Sequence, residues 1–146
     1  MKRHPALVAL SDDHHHELVQ ARRLLAAADA PPEARLRAAS AYVEVFFSET
    51  VEHFRREEEN VFPLYARQPA ANAELLDRIV REHMELHGLA RTLRAQVSAG
   101  DVSGTTLEEV GFLLRAHVRL EERELFEDVQ RVVPPEELDA LGRGPR

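Results

Sequence analysis

The chain has eight histidines, and six residues around them fall into three pairs spaced four apart: His53 with Glu57, His83 with His87, and His117 with Glu121. On a helix, residues four apart lie one above the other on the same face. Each pair can therefore present two donor atoms to one point. Histidine offers a neutral nitrogen, and glutamate an oxygen that can bridge two metal ions. One such pair in an acidic helix is ordinarily a surface ion pair. The phase argues otherwise here. His53 lies on the stripe of Phe46, Thr50 and Val61; His83 follows Leu76, Ile79 and Val80; His117 follows Val110, Leu113 and Leu114. Polar groups inside apolar stripes are costly unless satisfied. Three inward pairs ask for a common partner.

A fourth helix side comes from the run His14-His15-His16. With Leu18, Ala21, Leu24 and Leu25 as the buried stripe, His14 lies nearest the interior. His15, about 100° around, is the alternative, and His16, about 200° around, faces solvent. Glu58 and Glu59 read as a solvated face, and Glu122 as the second choice for the carboxylate beside Glu121. The expected metal ligands are thus His14, His53, Glu57, His83, His87, His117 and Glu121. These are too many for one ion. They suit two non-haem iron ions bridged by both carboxylates and by an oxo or hydroxo group, with one coordination position left open for a small ligand.

These residues need helices to position them. Ala, Leu, Glu and Arg dominate the chain and favour helix. Ser11-Asp12-Asp13 reads as a helix start, and the helix runs to about 28–29. Pro32-Glu33 opens a second helix, which Pro63 should end or kink. A third runs from about Ala71 to Ser98 with Gly100 as its C-cap. Thr105-Thr106-Leu107-Glu108 opens a fourth, reaching about Val132. The sequence repeats: HFRREEENVF at 53–62 matches HVRLEERELF at 117–126, and DHHHELVQARRL at 13–24 matches EHMELHGLARTL at 82–93. The expectation is an all-α, up-down-up-down antiparallel four-helix bundle. It forms a single domain over 1–146, with a core of about 5–132 and a short tail, 133–146, holding one helical turn.

Composition excludes other classes. With no Cys there is no disulfide framework, thiolate metal site or thiol nucleophile. A formal net charge of −7 without a basic block disfavours nucleic acid as a partner. Few aromatics and six glycines disfavour a β barrel. No apolar run is long enough for a membrane span, and the start MKRHPALVALSDD is too short for a secretory signal, so the expected location is cytoplasmic.

The motifs DHHHEL at 13–18, HFRREEENVFP at 53–63, REHMELH at 81–87 and HVRLEERELF at 117–126 resemble the hemerythrin-like (HHE) cation-binding family, over about residues 5–132. The resemblance implies a bundle holding a non-haem di-iron centre. In it, His83, His87 and His117 hold one iron, His14 and His53 hold the other, which keeps the open site, and Glu57 and Glu121 bridge them. Oxygen carriers of this family have an Asp one residue beyond the position of Glu121. The expected function is binding of dioxygen, or of a related ligand such as nitric oxide or peroxide, for sensing, storage or stress protection. Peroxidase-like, catalase-like or nitric-oxide-reducing activity and iron handling are the alternatives. A metal- and oxygen-binding protein is favoured over a dedicated enzyme, and no protein partner is specified. Tyr42 and Tyr65 read as packing residues.

Overall fold

The structure, a computed structural model, describes residues 1–142. These form five helices: α1 (Pro5–Ala27), α2 (32–66), α3 (Ala73–Ala99), α4 (104–132) and the short α5 (Pro135–Gly142). α1 packs on α2, α2 on α3, α3 on α4, and α4 on α1, closing a ring of four long helices. There is no strand among the described residues.

Local chemistry explains the helix ends. α1 begins six residues before the expected Ser11, because Pro5 occupies the first turn and His4 caps it, its Nδ1 accepting from the Ala6 amide at 3.0 Å. Asn72 and Ser103 cap α3 and α4 by accepting from Leu75 and Thr106. Gly100 closes α3 at φ 70°, which a residue without Cβ adopts without strain. Pro63 does not end α2. It falls in the first turn after a π turn, where a missing N–H costs little, and the helix continues to Ala66. The tail forms more than one turn: α5 seats Leu138 beside Leu7 in the core, and His4 meets Asp139 at 3.0 Å. The last four residues of the expected tail lie outside the described residues.

Two π turns matter for the site. Glu57–Val61 in α2 and Glu121–Leu125 in α4 are equivalent positions of the sequence repeat. Each widens its helix from the inward glutamate onward, a distortion often found at functional sites. A further π turn, Phe46–Thr50, has no counterpart in α4.

The core has two apolar clusters. One gathers Ala21, Leu24, Phe46, Leu93 and Leu107; the other gathers Leu7, Val61, Tyr65, Ile79 and Leu125. Along α1 the order is Leu10, then His14 and Glu17, then Ala21, and along α3 it is Ile79, His83, Leu86. A polar layer thus lies between two apolar ones. In the first cluster α4 lies close to α1: a Cβ at Gly111 would meet the Leu25 side chain at 2.7 Å, so a larger residue there would have to displace it.

Candidate metal centre

Six of the seven expected ligands meet in this layer. His14, His53, Glu57 and Glu121 bring donor atoms together in one group, and His83, His117 and Glu121 in a second. All six are buried. On α1 it is His14 that lies buried among these donors, while His15 and His16 are exposed. Both glutamates face histidines of both groups. Glu57 lies 3.3 Å from the Nε2 atoms of His53 and His83 and 3.7 Å from that of His14. Glu121 lies 3.1 Å from His117, 3.5 Å from His14 and 3.8 Å from His83. His14 Nε2 and His53 Nε2 stand 3.1 Å apart. Donors sharing an ion at about 2.1 Å are themselves roughly 3–4 Å apart, so these separations fit ligation.

The buried polar inventory gives the same answer. Both oxygens of Glu57, both of Glu121, and Nε2 of His83 and His117 are buried without a hydrogen-bond partner. Unsatisfied buried carboxylates cost several kcal/mol, and a cation among them removes that cost. The donors are nitrogen and oxygen only, a set that suits divalent metal cations rather than thiolate-bound ones.

The outer faces of the four imidazoles are all occupied. Nδ1–H of His53 donates to Asp13 (3.0 Å), that of His83 to Glu58 (2.7 Å), that of His117 to Glu82 (2.8 Å) and that of His14 to Glu122 (2.7 Å). A carboxylate accepting at Nδ1 fixes the tautomer and turns the Nε2 lone pair inward. The four bonds form a closed circuit: an acid on α1 holds a histidine on α2, α2 holds α3, α3 holds α4, and α4 holds α1. Each acid is the chain neighbour of an inward residue: Asp13 of His14, Glu58 of Glu57, Glu82 of His83, and Glu122 of Glu121. Arg3 fixes Glu122 in turn at 2.8 Å.

The charges are correspondingly displaced. Burial opposes protonation of His14, but Glu121, Glu122 and Glu17 overcome it and raise the imidazole to about 10. The same contest, with Glu121 and Glu82, raises His117 to about 9. Burial and the neighbouring His14 charge lower His53 to about 4. Burial, then Glu121, pushes Glu57 well above the carboxylate range. Burial works the same way on Glu121, but His117 holds it well below.

Other residues sit outside the two groups or take further roles. His87 joins neither group. It is half-buried, its ring edge against Phe46 (5.2 Å) and Phe54 (5.8 Å), while the adjacent Leu86 takes the fully buried position. Glu58 is more than a solvated residue, since it supports His83. Glu122 is not the inward carboxylate but the support of His14. Sequence reasoning passed over Asp13 and Glu82 in these roles, and Glu17 altogether, although it is buried with both oxygens unpartnered. The signal for the supporting acids was present, as an acid beside a ligand in all four motifs.

No helix among the described residues is long and apolar enough to cross a membrane. Neither a curated protein nor a solved structure matches the chain. A family model does, the hemerythrin HHE cation-binding domain, over residues 6–129, which spans all four motifs and every residue of the centre. The chain belongs to the hemerythrin HHE cation-binding family.

Proposed function

We propose that this chain is a non-haem di-iron protein binding dioxygen or a related small ligand. The observation that carries the reading is the pair of donor groups sharing Glu121, with buried carboxylate and imidazole atoms that no protein group satisfies. His14 and His53 would hold one ion, His83 and His117 the other, and Glu57 and Glu121 would bridge. The ring of helix contacts supports an up-down-up-down antiparallel four-helix bundle in a single domain, with α5 closing one end.

When bound, the irons supply open coordination positions and redox electrons. The protein contributes the rest. Asp13, Glu58, Glu82 and Glu122 orient the imidazoles and raise their basicity. The two apolar clusters exclude bulk water and lower the local dielectric. With His87 outside both groups, the His83–His117 ion would keep one more free position than a five-histidine set would leave, and the His14–His53 ion as many as before. This favours small-ligand binding at either ion.

Metal analysis after anaerobic loading with ferrous iron, joined to a visible spectrum under cycled oxygen, tests the reading. Two irons per chain and a reversible oxygen-dependent band are expected. Fewer than two irons, or a single irreversible oxidation, would overturn it.

A further inference from the structure

The sequence repeat places a leucine where α1 has its one buried acid. An offset of 69 pairs Asp13 with Glu82, His14 with His83, Ala21 with Ala90 and Leu24 with Leu93, but Glu17 with Leu86. An offset of 64 pairs His53 with His117 and Glu57 with Glu121, but Thr50 with Leu114. Thr50 and Glu17 are both buried, as are Leu86 and Leu114. The half of the centre around His14 and His53 is therefore polar where the other half is apolar.

Neither oxygen of Glu17 has a hydrogen-bond partner, and among the described residues no arginine or lysine pairs with it. Its Oε2 lies 3.7 Å from His53 Nε2, on the imidazole edge that faces the interior. A cleft of about 350 Å³ between α1 and α2 leads from the surface to this point. Asp13, Glu49, Glu52 and Arg56 line its walls, and Glu17 and His53 also line it. A carboxylate so placed meets whatever arrives through the cleft before the deeper Glu57 and Glu121 do.

Building on the two-ion reading above, we infer that Glu17 is a seventh donor. It ligates the ion of the His14–His53 position on the side facing the α1–α2 cleft, and it makes the two metal positions chemically unequal. The His83–His117 position has Leu86 in its place and lacks this donor. The cleft is the route by which ions and small polar ligands reach the first position.

The test compares wild type, Glu17→Gln and Glu17→Leu, the last copying the other half of the repeat. Each apoprotein is checked by circular dichroism and titrated anaerobically with ferrous iron. Each loaded form is read by Mössbauer spectroscopy, which resolves the two irons. Wild type should take two irons with distinct signals. Glu17→Gln should still fold and still take two, with one of the two positions weakened about tenfold or more and the two signals converging. Glu17→Leu should do the same. Variants whose affinities and signals match wild type would overturn the inference while leaving the two-ion reading intact. A wild-type chain binding fewer than two irons would overturn both.

Discussion

The two halves of the centre share a plan and differ in surroundings. Each has a histidine from an HxxxE pair, a histidine from the preceding helix of its own half, and an outer acid on each imidazole. His14 stacks on Phe126 at 5.3 Å, and its counterpart His83 lies 5.5 Å from Phe62. Beyond that the halves diverge. His83 is also stacked on Phe54 at 3.8 Å, whose counterpart on α4 is Val118. The hollow reaching His83 is lined by Phe62, Val80, Met84 and His87 with the single acid Glu58, whereas the cleft reaching His53 has Asp13, Glu49, Glu52 and Arg56 among uncharged residues. A repeated frame fixes the donors, and the departures from the repeat decide what approaches each one.

Glu121→Ala should erase the comparison, because this residue belongs to both donor groups. Loss of both ions is expected by elemental analysis, and retention of even one at wild-type affinity would break the shared-bridge assignment. Glu122→Gln should act on one half only. It removes the acceptor charge behind His14 but leaves the second half untouched. Weakening of one of two ions by about 10- to 100-fold is expected in a ferrous titration. Equal weakening of both would deny that the halves are separable.

The pH dependence of the metal-free chain sharpens the contrast further. Burial raises Glu17 to about 7 from an ordinary carboxylate value near 4.5. The folded chain therefore holds this proton more tightly than the unfolded one. Its contribution to stability is complete below about pH 4.5 and is lost as pH rises through about 7. In chelator-treated protein, Glu17→Gln should be more stable than wild type by roughly 3 kcal/mol at pH 8, with the difference vanishing near pH 4. Urea melts across that range read it directly, and a difference independent of pH would contradict the assignment. The smallest effect belongs to His87→Ala. With its ring on Phe46 and Phe54, its removal should leave both ions bound, with affinities changed less than about threefold. Loss of an ion would instead mean that His87 turns inward on loading.

Helical periodicity revealed the inward residues because His14, His53, His83 and His117 sit in phase with leucines and phenylalanines on their own helices. It could not reveal Asp13, Glu58, Glu82 or Glu122. Each of these points away from its own stripe and finds its purpose on the next helix, and spacing within one helix says nothing about that neighbour. Nothing in its spacing sets Glu17 apart from the other acids; its burial beside the α1–α2 cleft does. His87 is the converse case. Four-residue spacing put it beside His83, but the bulk of Phe46 and Phe54 determined where its ring lies. The π turns, and with them the continuation of α2 past Pro63, leave no mark in local propensity.

The circuit of acids and imidazoles also constrains how the helices can rotate. On every helix the supporting acid and the inward donor are adjacent in sequence, so they point about 100° apart. Turning any one helix by a single residue would withdraw its donor from the middle and at the same moment release the imidazole next door. The arrangement behaves as a four-wheel gear train in which no wheel slips alone. Correct angular setting of all four helices is checked at one place, at the middle of the protein.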